Sequence, residues 1–408
     1  MKTKHRISTR LAVGSVWCCM LLSAQAEPVT LAGAIDAAWQ RTQAGAASQA
    51  QQLRADAEQK AAASLLAAPP SLSLSQRSDR AQDNRGVQER EIGVALPLWL
   101  PGQRAAKQAA ADAEVGLASA SVALARLRLA GQLRELAWSL VGLRAELAAN
   151  EAQSRYMKAL SADVERRVKA GDLASTDALA AQGEALAAEA EVLAVTQRLQ
   201  AESLRWTGLT GLPADVEPAE GDAPEANAPL EQDQHPALAQ LAQAAEAARR
   251  QLEVARRDRA EAPELSLAYR SERDAYGQPR QGSMTLALRV PFGMAVRNEP
   301  LRAAAQGALD QALAEQTRTR LELAAELAIA RDALQSATRQ AAMQTARAGL
   351  LRQRSALLDK SFRAGETALP DLLLAVQAAA QAEATLARHQ AALGAARARL
   401  LQASGVLP

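Results

Sequence analysis

The chain repeats itself at a spacing of 194 residues, and this repeat constrains its fold more than any other feature. "RVKAGDLASTDALAAQ" (Arg167 to Gln182) lies over "SFRAGETALPDLLLAV" (Ser361 to Val376), and Gly365 follows Gly171 by 194 positions. In the same register Lys169 meets Arg363, Ala170 meets Ala364, Asp172 meets Glu366, Asp177 meets Asp371 and Leu179 meets Leu373. The shift also sets "APPSLSLS" (from Ala68) over "APELSLAY" (from Ala262), "GVALP" over "ALRVP", and "LTG" over "ASG". Anchors this far apart, with no net insertion between them, describe a duplicated structural unit. The period is too long for a solenoid. The expected division is 27–211 and 237–408, joined by a Pro-, Ala- and acid-rich linker at 212–236.

Each unit writes the same order of patterns. In the first, Leu31 to about Ala67 is Ala/Gln-rich and predicts a helix, which Pro69-Pro70 would stop. "SLSLSQ" then alternates strictly, with Leu72 and Leu74 on one face and Ser71, Ser73 and Ser75 on the other. After a polar stretch from Arg77 to Arg90, "EIGVALPL" alternates again. It puts Ile92, Val94, Leu96 and Leu98 opposite Glu91, Gly93 and Ala95, and Pro101-Gly102 ends it. Gln103 to Lys169 contains no proline, and Leu133, Leu136, Leu140, Leu143 and Leu147 recur at steps of three and four, a coiled-coil seam. Such a helix is roughly 100 Å long. Thr176 to about Trp206 returns as a shorter helix.

The second unit has strands at Glu264 to Arg270 and Ser283 to Phe292, and a long helix from about Leu301 to Ser361. Leu265, Leu267 and Tyr269 share one face, as do Met284, Leu286, Leu288, Val290 and Phe292. The isolated glycines Gly142, Gly183 and Gly307 read as close-packing sites within helices.

Strands with one leucine-rich face and one small or polar face follow the pattern of a membrane barrel. Two soluble hairpins packed on helices are the alternative. Four strands cannot close a barrel, and open edges are not tolerated in lipid. In a membrane, therefore, several chains must share one barrel. Trp99 and Phe292, at strand ends, would then mark its interfacial belt.

The first residues read as an export leader at 1–26. Lys2, Lys4, Arg6 and Arg10 precede the apolar run "LAVGSVWCCMLLSA", and Ala24-Gln25-Ala26 is a cleavage site placing the mature start at Glu27. Trp17 before Cys18 fits a lipoprotein signal poorly. Losing four basic residues turns the formal charge of +2 into −2, which argues against a nucleic-acid partner. Cys18 and Cys19 also leave with the leader, so no disulfide or thiolate metal site is expected. Met157, Met284, Met294 and Met343 do not cluster, so neither a metal site nor any cofactor is expected. His235 and His389 are the remaining histidines, the first in the linker and both read as surface residues. No nucleophile–base grouping and no phosphate-binding glycine loop accompany them, which argues against an enzyme.

With these features the chain resembles the outer-membrane factor family, the TolC-like exit ducts of bacterial efflux systems. The resemblance rests on the tandem repeat, "ALPLWLPGQR" and "LRVPFG" at the strand exits, the two Ala-Gly turns, and the "LTGLP" and "ASGVLP" ends. It departs in being short for the family and in one motif: Arg41-Thr42 stands where many relatives carry Asn-Pro, while the second repeat has His235-Pro236. The resemblance implies a mainly α fold with a small β part. Three chains would each give four strands to a 12-stranded outer-membrane β-barrel in contact with lipid, and long helices to a periplasmic α-barrel tunnel. It also implies a periplasmic adaptor and an inner-membrane RND-type pump as partners. The cargo would be metal cations or small toxic compounds, and the short chain looks most like the heavy-metal-efflux branch. A type I protein-secretion channel and a soluble periplasmic coiled-coil scaffold stay open as alternatives.

The repeated turns explain themselves first as helix caps. Glycine supplies the left-handed conformation at Gly171 and Gly365. Lys169 and Arg363 sit in the last turn, where the helix dipole favours cations, and Asp177 and Asp371 in the first turn of the return, where it favours anions. Thr176 and Pro370 are expected at the first returning position. The family resemblance adds a role: six such turns would form the periplasmic mouth, meet the adaptor and close the channel. The adaptor-contact candidates are Lys169, Ala170, Gly171, Asp172, Asp177, Leu179, Arg363, Ala364, Gly365, Glu366, Asp371 and Leu373. Arg166, Arg167 and Asp172 are the gate candidates.

Overall fold

The structure, a computed structural model, describes residues 29–218, 235–258, 261–292 and 295–408. The expected leader and most of the expected linker lie outside the described residues. A short strand β1 (Val29–Thr30) leads into α1 (Leu31–Arg41) and α2 (Gln43–Ala62). A hairpin of β2 (Ser71–Ser78) and β3 (Gln88–Pro97) feeds α3 (Gln103–Ala170), and α4 (Ser175–Thr210) returns to β4 (Val216–Glu217). The order then recurs in α5 (Pro236–Arg257), β5 (Glu264–Arg273), β6 (Gln281–Arg289), α6 (Ala295–Arg363) and α7 (Leu369–Ala403). The molecule is mainly α with a small β part. The 68 residues of α3 span about 100 Å.

The first helical stretch differs from its expectation. It breaks at Thr42, whose backbone is extended while its N–H still reaches Ala38 O at 2.9 Å, and it ends at Ala62, well before Pro69-Pro70. The proline pair is not what stops it. Arg104 donates to Ala63 O at 2.7 Å and the Trp99 indole to Ser64 O at 3.1 Å, satisfying carbonyls that a longer helix would use itself. At the other long helix, α6 begins at Ala295 rather than Leu301, with Pro300 tolerated inside its first two turns. Residues 212–218, expected as plain linker, include β4, which pairs parallel with β1 and buries Val216.

The four longer strands form one antiparallel sheet in the order β2-β3-β5-β6. Its register puts Leu72, Val94, Leu267 and Leu286 in one row and Leu74, Ile92, Tyr269 and Met284 in the next. Directly opposed residues point to the same side, so these rows make one continuous apolar face, and every member of it is exposed. The reverse face carries Ser73, Gly93, Ala268 and Thr285, then Ser75, Glu91, Arg270 and Ser283. On that face Arg270 bridges Glu91 at 2.8 Å and Glu89 at 3.1 Å. No helix covers the apolar face, and β2 and β6 have unpaired outer edges among the described residues.

Strand connections are tighter than the polar runs suggested, because β2 extends to Ser78 and β5 to Arg273. The first is organised by Asp79, whose carboxylate accepts from the backbone N–H of Arg85 at 2.6 Å and of Gly86 at 3.0 Å.

The helices lie side by side. Toward their far ends the order is α4-α3-α7-α6, while near the sheet α2 and α5 flank α3, and α6 packs on α5. The expected seam is present: Leu133 and Leu140 are fully buried and Leu136 packs against them, in a core with Leu31, Ile35, Trp206 and Val216. Each returning helix passes close to the start of its own unit. A Cβ on Gly211 would meet the Arg41 guanidinium at 3.0 Å, and one on Gly405 would meet His235 at 2.7 Å. Arg41 and His235, and likewise Gly211 and Gly405, stand 194 residues apart.

Candidate functional site: the paired helical tips

The roughly 100 Å of α3 separates the sheet from the helical tips, so the candidate residues are far from the apolar face. Gly171 has φ +86° and Gly365 φ +79°, the left-handed region where a side chain is strained. Each ends its helix in the same way. Asp172 N–H returns to Arg167 O at 2.9 Å, and Glu366 N–H to Ser361 O at 3.0 Å. Among the described residues nothing lies within 4 Å of a Cβ built on either glycine, and both are exposed.

The returning helices start at Ser175 and Leu369, which makes Thr176 and Pro370 the second helical residues rather than the first. Asp177 reaches back to accept from the Ala174 N–H at 3.3 Å. Asp371 occupies the same first-turn place in α7. Lys169 pairs with Glu165 at 2.8 Å and Arg363 with Asp359 at 3.0 Å, each one turn back on its own helix. Lys169 acts first by hydrogen bonding, then by charge, to hold the Glu165 carboxyl below its ordinary range.

The two tips share a core. Met157, Leu160 and Val164 of α3, Ala181 of α4, Phe362 of α6, and Leu372, Leu373 and Val376 of α7 pack together. Near the tips, Tyr156 and Arg167 reach across to the second hairpin. Tyr156 donates its hydroxyl to Asp359 at 2.9 Å, and the Arg167 guanidinium stacks on the Phe362 ring at 5.0 Å. Burial first, then the bond to Asp359, pushes the Tyr156 phenol well above its ordinary range. Around these contacts is a cavity of about 450 Å³ lined by Tyr156, Asp163, Arg166, Arg167, Asp359 and Arg363.

The structure places the remaining sequence-predicted residues as follows. Of the gate candidates, Arg166 and Arg167 both turn to Asp163 within the chain, at 2.8 and 3.0 Å, and Asp172 has no ion pair to either among the described residues. Asp163 lies one turn back on the same helical face, whereas Asp172 lies beyond the glycine, where the chain has already turned away. Leu179 and Leu373 match in sequence but not in surroundings: Leu179 is 69% exposed and Leu373 only 9%. The reason is position: α7 lies between α3 and α6, whereas α4 is at the edge of the layer. Gly142 is a close-packing site, where a Cβ would meet Ala391 at 3.0 Å, but among the described residues nothing comes within 4 Å of a Cβ built on Gly183 or Gly307.

His235 is not a surface residue. It is buried at the start of α5, where Nδ1 accepts from the Ala237 N–H at 3.1 Å, and burial lowers its pKa. Tyr156, Asp163, Asp359 and Phe362 were missed as tip residues. For Asp163 the signal was present: it stands three and four residues before two arginines.

No family model matches the chain, and no curated protein matches it. Solved structures do share its fold. The outer membrane protein VceC from Vibrio cholerae is 18% identical, with a TM-score of 0.71 over 92% of this chain and 96% of that one. The Campylobacter jejuni CmeC outer membrane channel is 16% identical, with a TM-score of 0.74 over 92% of this chain and 85% of that one. CusC, described as forming a transmembrane channel, is 16% identical, with a TM-score of 0.75 over 92% of each chain. The chain has the fold of these outer-membrane channels.

Proposed function

We propose that the chain is an outer-membrane exit duct of a tripartite efflux system. The observation that carries this is the four-stranded sheet, whose apolar rows are uncovered, whose two edges are free among the described residues, and whose ends run into helices about 100 Å long. Exposed apolar faces of this extent belong against lipid, and free edges in lipid must be paired. Three copies supply 12 strands, a closed barrel with small and polar side chains facing its lumen. The helices then form a tunnel in the periplasm, with the two tips of each copy at its mouth. The likeness to VceC, CmeC and CusC supports this arrangement. On this reading the chain is two repeats, 27–211 and 237–408, with 212–236 as linker, behind a cleaved leader.

Conduction is passive. The duct receives metal cations or small toxic compounds from an inner-membrane RND-type pump through a periplasmic adaptor, which docks on the tip residues named above. The chain itself does no chemistry. Three measurements test the proposal: mass in detergent, conductance in planar bilayers, and outer-membrane fractionation. A trimer that conducts supports it; a monomer that stays soluble without detergent overturns it.

A further inference from the structure

We infer that the outer rim of the barrel binds the phosphate groups of a glycolipid in the outer leaflet, through Arg90 and Arg273 on the middle strands β3 and β5. The inference rests on the duct reading and adds to it a lipid partner of stated chemistry. On that reading the helices lie on the periplasmic side, so the turns joining β2 to β3 and β5 to β6 lie at the outer surface. The apolar rows of the sheet continue toward these turns. Two residues beyond Leu74, Ile92, Tyr269 and Met284, the same face carries Gln76, Arg90, Ser271 and Gly282. Two residues further it carries Ser78, Gln88 and Arg273.

Charge is sorted by face. Glu89, Glu91, Glu264 and Glu272 all stand on the reverse face, where Arg270 bridges Glu89 and Glu91. The apolar side of the four strands carries no carboxylate, and its cations are Arg90 and Arg273. Charge is also sorted by end. At the helix end the apolar side finishes in Leu96, Leu265 and Leu288, with no cation. Cations at the outer rim alone match a membrane whose phosphorylated glycolipid fills the outer leaflet only. A Cβ on Gly282 would meet the Tyr269 hydroxyl at 2.7 Å, so the phenol leans outward into the row of Arg90. A tyrosine with its ring among apolar side chains and its hydroxyl in a polar row marks the depth where hydrocarbon gives way to headgroups.

The two arginines suit a phosphate. Arg90 is exposed and has neither a hydrogen bond nor an ion pair from its side chain among the described residues. Arg273 donates from Nε to Gly86 O at 3.2 Å and stacks on the Tyr276 ring at 5.6 Å, which leaves its terminal nitrogens as donors. The Tyr276 hydroxyl is in turn tied to Asn84 at 2.7 Å, so the ring beneath Arg273 is held in place. Arg273 follows Ser271, the residue opposite Arg90, by two positions. The arginines are therefore diagonal neighbours on one face, about 7–8 Å apart. Two side chains of this length meet on one phosphate, and each guanidinium fork can hold its oxygens in pairs. Arg280, which donates to Gln88 at 3.2 Å, adds a third cation beside them.

Native mass spectrometry of the trimer in detergent, titrated with diphosphoryl lipid A, tests the rim. The wild type should bind this lipid about tenfold more tightly than its dephosphorylated form. Arg90→Gln should weaken binding severalfold and fold normally, since Arg90 has no partner to lose. Arg90→Gln with Arg273→Gln should weaken it about tenfold, and lysine at both positions should restore most of the affinity. Arg77→Gln, close to the same height on the reverse face, should leave binding unchanged. Equal affinity for the two lipid forms, or a loss in Arg77→Gln as large as in the double variant, overturns the inference. Displacement of the lipid by an equal concentration of inorganic phosphate would reveal a free-anion site and overturns it too. A conducting trimer with any of these results leaves the duct standing, whereas a chain that forms no trimer overturns both.

Discussion

Tyr156 on α3 and Asp359 on α6 share a hydrogen bond of 2.9 Å across the gap between the two hairpins, near the open tip. The bond joins residues 203 positions apart. The raised phenol pKa keeps Tyr156 a donor throughout the physiological range. Tyr156→Phe should remove about 1 kcal/mol of linkage and leave the Asp359 carboxylate with Arg363. On the duct reading the mouth then opens more often. Planar-bilayer recordings should show higher single-channel conductance or longer openings, with trimer yield unchanged. Unaltered conductance in Tyr156→Phe combined with Arg167→Ala would remove these contacts from any role in closure.

Gly171 and Gly365 separate a capping role from a docking role. A side chain at these positive φ angles costs roughly 1 kcal/mol, and both sites are open to solvent, so folding should survive. Gly171→Asp with Gly365→Asp should leave trimers in the membrane and abolish efflux, because the tip must fit an adaptor closely. Resistance assays against trimer abundance decide it. Normal efflux in the double variant would reduce both turns to helix caps.

The two faces of the sheet give a paired comparison. Leu267 lies in the central apolar row and Ala268, its neighbour, points to the opposite face. An arginine on the lipid side near the bilayer midplane costs about 2–4 kcal/mol. Leu267→Arg should therefore reduce folded outer-membrane trimer severalfold, while Ala268→Arg should assemble normally and change ion selectivity. Equal losses from both would place the sheet against protein rather than lipid.

Much of this was legible in the sequence, and the failures share causes. Alternation at Leu72 and Leu74, or at Met284 to Leu288, reports the face of a strand directly, because the side-chain period is two. The 194-residue shift located both tips because glycine at a left-handed cap leaves a fixed mark. What sequence could not supply was tertiary position. Leu179 and Leu373 are the same residue in the same motif, yet one lies on an edge helix and the other inside the layer. Arg167 advertised an ion pair, but its stacking on Phe362 depends on how two distant hairpins meet. His235 read as linker because no local pattern shows that Gly405 closes over it.

His235 gives a prediction about acid stability. The imidazole is buried, its pKa is lowered by burial, and its Nδ1 must be unprotonated to accept the Ala237 N–H. A neutral histidine in the folded state contributes stability that is complete above the unfolded pKa near 6.5. As pH falls below that value, the unfolded chain binds a proton that the folded site resists, and this contribution is lost until the folded pKa is also passed. Thermal unfolding in detergent should therefore show a lower midpoint at pH 5 than at pH 7.5. His235→Asn keeps a capping acceptor and removes the titrating group, so its midpoint should fall less over the same range. His235→Ala loses the cap as well and should be destabilised by about 1 kcal/mol at pH 7.5. The same pH dependence in the wild type and His235→Asn would assign the acid sensitivity to other groups.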